Sequence, residues 1–191
     1  MTGRGRPGPF DLPQPGGRAP APQPLRLVQD FVNTLDAEHG IDLLAEDAAG
    51  WLHAKGLGGG GPVRPAELAR LVRVREALRA LLLAHTPGGG PAGEAAEVLS
   101  AAAGPLRWRI DADGAVHPEA ASAPGSRAVA AVLLGAVHRA QASGDWPRLK
   151  ACPGPRCGWA FYDRSHGARS TWCSMDVCGA RAKMRRYRAP R

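Results

Sequence analysis

Residues 152–178 read CPGPRCGWAFYDRSHGARSTWCSMDVC and hold all four cysteines of the chain. They fall as C-x4-C-x15-C-x4-C: Cys152 and Cys157, then Cys173 and Cys178. Three chemistries use cysteines in pairs. A disulfide framework belongs to oxidising compartments. A thioredoxin-like redox pair needs C-x-x-C beside a βαβ pattern, and neither occurs here. Four thiolates brought together by a short excursion of chain can instead hold one tetrahedral Zn2+. The spacing is looser than the familiar C-x2-C pairs, so the intervening residues carry much of the argument.

Those residues favour the zinc reading. Pro153, Gly154 and Pro155 suit a tight knuckle around the first pair. Trp159 and Phe161 alternate as on a strand, RSHGARS reads as a turn, and STW is expected to return as a second strand. Ser174 is placed to cap a helix with Cys178 in its first turn. The expected module is a treble-clef-like zinc finger over 146–191. It is too small to build a sufficient core of its own, so one structural Zn2+ would supply much of its stability. Four thiolates leave no coordination position for water, which argues against a catalytic metal. His166, at the turn, is a possible substitute ligand.

Charge singles out the same region. The chain has 191 residues and a formal net charge of +8. Residues 1–144 carry 14 basic and 14 acidic side chains, whereas 145–191 carry 11 basic and three acidic ones. The whole excess therefore sits with the cysteines. A neutral body with a basic end points to a polyanionic partner. On a helix after Cys178, Arg181, Arg185 and Arg188 share one face, and Lys183 and Arg186 a neighbouring one. Arg164 and Arg169 would extend the surface from the turn. Ala180, Met184 and Tyr187 form a narrow apolar strip expected to dock on the body. Duplex DNA is the expected partner. RNA, stacked on Trp159, Phe161, Tyr162 or Trp172, is a second reading, and a protein–protein adaptor a third.

The remainder reads as mainly α with a small β-hairpin, an α+β chain. Residues 1–24 hold seven prolines and five glycines and are expected to form a disordered leader. A mainly helical domain is expected over 25–145. Val28, Phe31, Val32 and Leu35 fall on one helical face, and Asp47 can cap a helix through Trp51 that Gly56 stops. Gly56, Gly58 and Gly61 match G-x-G-x-x-G only formally, since no strand precedes them; a linker is the better reading. Pro65 opens a long helix whose stripe runs from Leu68 to Leu82. Leu106, Trp108 and Ile110 alternate before Asp113-Gly114, a hairpin signal. Val129, Val132, Leu133 and Ala136 mark the buried face of a further helix, with Ser126 as its cap. His138 reads as structural. No secretory signal or membrane-spanning run is evident, so a cytoplasmic protein is expected, with any small-molecule or protein effector on 25–145. No H-E-x-x-H, G-x-S-x-G or P-loop occurs, so an enzyme is not expected.

The stretch RLKACPGPRCGWAFYDRS…RSTWCSMDVCGARAKMRRYR resembles the CGNR-type zinc finger, named for Cys-Gly-Asn-Arg at the fourth ligand. Here the signature reads Cys178-Gly179-Ala180-Arg181, with Ala180 in the Asn place. DFVNTL, residues 30–35, with Trp51-Leu52 downstream, resembles the ABATE domain. The resemblance implies zinc on the four cysteines and a role in stress-induced transcription regulation.

Overall fold

The computed structural model describes residue 10 and residues 12–58, 61–103, 106–120 and 125–189. The expected disorder of residues 1–9 and 11 lies outside these. Five helices build the body: α1 (Leu25–Val32), α2 (Leu43–Ala54), α3 (Pro65–Ala84), α4 (Gly93–Ala103) and α5 (Ser126–Ala142). A sixth, α6 (Ala180–Arg188), ends the described chain. Three antiparallel two-stranded ladders interrupt them. These are β1 (Leu35–Asp36) with β2 (Ile41–Asp42), β3 (Leu106–Ile110) with β4 (Val116–Ala120), and β5 (Leu149–Ala151) with β6 (Ala160–Tyr162). No helix among the described residues is long and apolar enough to cross a membrane.

Local chemistry explains most boundaries. Pro65 occupies the first turn of α3, where its missing N–H costs nothing. Within α2 the backbone breaks from helical geometry at Asp47. Asp42 caps the first half, accepting from the Leu44 and Ala45 amides, and Asp47 caps the second, accepting from Gly50 N at 2.8 Å. Asp113-Gly114 makes the β3–β4 turn, as its sequence predicts. Ser126 does not cap α5; Gly125 takes the cap position, and no side chain bonds there.

The core joins Leu25, Val28, Phe31 and Val32 of α1 to Trp51 of α2, Leu71, Leu78 and Leu82 of α3, and Leu133 and Ala136 of α5. The predicted stripes hold with exceptions. Leu35 lies beyond the end of α1, half-buried in β1, and not on its helical face. Val132 is 45% exposed, and Trp108 and Ile110 of the hairpin are 64% and 68% exposed, so their alternation marks a solvent face. Arg75, on α3 between the apolar positions, is buried, because its guanidinium pairs bidentately with Asp42 at 2.7 and 2.9 Å.

Two domain-level expectations change. Residues 12–24 are not disordered. Gln14 and Ala21 bond to the Gln29 amide, and Arg18 donates to the Cys173 and Trp172 carbonyls at 2.7 and 3.2 Å. Nor is the cysteine module a separate appendage. Trp146, Leu149, Ala151, Ala160 and Tyr162 belong to the same core as the helices.

Candidate metal centre and basic helix

The β5–β6 hairpin carries the first cysteine pair in its loop. Cys152 N donates to Trp159 O at 3.0 Å, continuing the ladder, and Gly158 N turns back onto Cys152 O at 3.2 Å. Gly158 sits at φ +62°, a left-handed conformation that favours glycine. Gly154 lies directly over the sulfurs: a Cβ there would stand 3.4 Å from Cys178 Sγ and 3.6 Å from Cys152 Sγ. The second pair flanks Ser174, whose hydroxyl accepts from Val177 N at 3.3 Å. A single π turn, Met175–Gly179, then leads into α6 with Cys178 in it. The expected STW strand does not form; β6 pairs with β5 instead. His166 is exposed and stands outside the cluster.

The four sulfurs lie within 4.8 Å of one another. Cys157 and Cys173 are 3.5 Å apart, and Cys173 and Cys178 3.7 Å. A tetrahedron with zinc–sulfur bonds near 2.3 Å has edges of about 3.8 Å. The donor set therefore fits one zinc ion with little movement. Electrostatics point the same way. Hydrogen bonds from Cys157 and Cys173 lower the Cys152 pKa, while that of Cys157, hydrogen-bonded to Cys152, is raised. Cys173 is raised by the same contacts and Cys178 by burial. One thiolate forms at the expense of the others unless a divalent cation shares the charge.

Buried polar groups fix this unit to the body. The Asn33 side chain treats β6 as a neighbouring strand would: Nδ2 donates to Ala160 O at 2.9 Å, and Oδ1 accepts from Ala160 N at 2.7 Å. Arg79 of α3 donates to Gly158 O and Val32 O. His85 Nδ1 donates to Leu149 O at 2.8 Å, and Thr86 donates to Ala151 O at 2.8 Å. Burial lowers the His85 pKa, which keeps the ring neutral. Inside the unit, Lys150 Nζ meets Asp163 Oδ2 at 3.0 Å, both buried. Asp163 also accepts from the amides and hydroxyls of Ser165 and Ser170. Against its burial, those donors and Lys150 hold its carboxyl far below the ordinary range. Sequence reasoning missed these anchors. Asn33 lies within the DFVNTL stretch, but nothing local indicates a partner 127 positions away.

The predicted nucleic-acid residues divide. Arg181 and Arg185 line a cleft of about 330 Å3 beside Cys157 and Cys178, joined by Arg156 and by Glu38 of the β1–β2 turn. Arg181 is ion-paired to Glu38 at 2.7 Å. Lys183 and Arg186 border a different groove with Trp172 and Met175, which Ala180 also lines. Arg188 is exposed near the end of α6. Arg169 is exposed, and Arg164 lies over the Tyr162 ring and donates to Pro20 O; neither lines the cleft of Arg181. The apolar strip does not dock: α6 buries none of its residues, and Tyr187 is 85% exposed.

Residues 25–143 match the ABATE family, described as "Putative stress-induced transcription regulator", and residues 148–191 match the CGNR zinc finger. No curated protein matches the chain at a significant level. The finger match and the sulfur geometry together assign one structural zinc ion to Cys152, Cys157, Cys173 and Cys178.

Proposed function

The chain belongs to the ABATE family with a CGNR zinc finger, and from that premise we propose that it is a cytoplasmic transcription regulator that binds duplex DNA through α6. One observation carries the reading: a helix with five basic residues buries nothing, yet starts from a cysteine of the zinc centre. The metal would thus fix the direction of a cationic rod with exposed side chains for phosphates, Arg181 exchanging its Glu38 partner for one. Arg156, Arg181 and Arg185 form one contact group and Lys183 and Arg186 another. Contacts of this kind give affinity and register rather than base choice.

RNA recognition by base stacking has less support. Trp159, Phe161 and Tyr162 are buried, so their faces are taken by the core, which leaves only half-buried Trp172, beside Lys183 and Arg186, to stack a base. The proposal assigns no reaction to the chain, because four thiolates complete the zinc coordination and leave no open site. Residues 25–143 would act as the regulatory part.

The test is the salt dependence of duplex binding. Each phosphate contact contributes about −0.9 to the slope of log K against log salt. Arg185→Gln with Arg186→Gln should make the slope shallower by about 2. No binding at low salt, or a slope unchanged by the pair, would overturn the reading.

A further inference from the structure

A second cavity, of about 420 Å3, lies between α3, α4 and α5, away from the finger. Its size falls within the range of small-molecule sites. The floor is apolar, made by Val74, Val98 and Ala102. The rim is cationic: Arg70 and Arg73 come from α3 and Arg127 from α5, against one acid, Glu97. Arg70 and Arg73 are exposed on α3 and border this cavity. Arg70 lies 3.9 Å from Glu67. Among the described residues, Arg73 and Arg127 have no ion-pair or hydrogen-bond partner.

Ser126, the first residue of α5, also lines the cavity. It is only 5% exposed, and its hydroxyl has no partner among the described residues. No side chain caps the 17-residue α5. Its first-turn amides and positive dipole end favour an anion beside Ser126. The Glu67 carboxylate packs against Gly125 from the neighbouring cleft, so the α5 terminus is not wholly uncompensated. Ser126 borders both cavities, and Arg73 and Arg127 line with it the one that Glu67 does not enter.

We propose that this cavity binds a small amphipathic carboxylate. The carboxylate lies between Arg73 and Arg127, accepting from their guanidiniums and from the Ser126 hydroxyl, and the apolar body covers Val74, Val98 and Ala102. Arginine pairs a carboxylate in a planar, bidentate fashion. Glu97 on the rim disfavours a head group of higher negative charge, and the apolar floor disfavours a fully polar anion.

The experiment uses the zinc-loaded full chain and isothermal titration with octanoate, with octanol as the neutral analogue. Saturable one-to-one binding of octanoate, with octanol at least about tenfold weaker, is expected. Arg73→Gln with Arg127→Gln should weaken octanoate by at least about tenfold. Ala101→Leu, which narrows the cavity without removing charge, should weaken both ligands, and zinc content should stay unchanged in each variant. Equal binding of octanoate and octanol, no saturable binding, or octanoate affinity indifferent to these substitutions would overturn the proposal. No nucleic acid enters the measurement, so its outcome is independent of DNA binding.

Discussion

Asn33 shows how one side chain can join two parts of a chain. Its amide supplies both a donor and an acceptor to Ala160, which is fully buried. Ala160 O has a second donor in Gln29, but Ala160 N has no other partner among the described residues. Asn33→Ala should therefore cost about 1–3 kcal/mol, the penalty for one orphaned buried amide. Urea unfolding of the zinc-loaded protein measures this, and a loss below about 0.5 kcal/mol would mean that the pair is incidental. His85 makes a pH-dependent clamp. Its folded pKa is lowered by burial, so the unfolded chain binds the proton more readily. The clamp's contribution is complete above the unfolded value of about 6.5 and falls away as pH drops below it. Wild-type stability should decline between pH 7 and pH 5 more steeply than that of His85→Gln. Parallel profiles would assign the acid sensitivity elsewhere. Neither residue's role was legible in the sequence. The cysteines announce themselves by type and spacing, whereas an amide or an imidazole gains its meaning from a backbone group far along the chain.

At the scale of elements, the helices were legible because apolar periodicity and caps are local. The same signal misled at α6. Ala180, Met184 and Tyr187 fall on one side of that helix, but amphipathicity does not say whether a partner is present. Here none of the body covers them, and Met184 and Tyr187 stay exposed. Met184→Gln and Tyr187→Ser should each change stability by less than about 0.5 kcal/mol. A loss above about 1 kcal/mol in urea unfolding would show that the strip packs after all. The N-terminal segment failed in the opposite direction. Its proline and glycine content reads as disorder, yet Arg18 crosses to the cysteine unit and lies over Phe161 at 5.0 Å. Pro13, Pro15 and Pro20 carry no amide donor, so fewer backbone groups need partners and a handful of side-chain bonds suffices to hold that segment.

For the molecule as a whole, the zinc unit and the helical body are one structure. Charge segregation does not mark a mechanical boundary, because the β5–β6 hairpin contributes to the common core. The metal closes the far side of that hairpin and sets the start of α6, while α1 and α3 hold its near side. Helix direction, and with it the placement of Arg181 and Arg185, should then depend on zinc. The most direct measurement is the anisotropy of a labelled DNA duplex titrated with one protein sample in three states: zinc-loaded, chelator-stripped and zinc-restored. Binding should be present, lost and recovered in that order. Equal affinity in the stripped and loaded states would contradict the account.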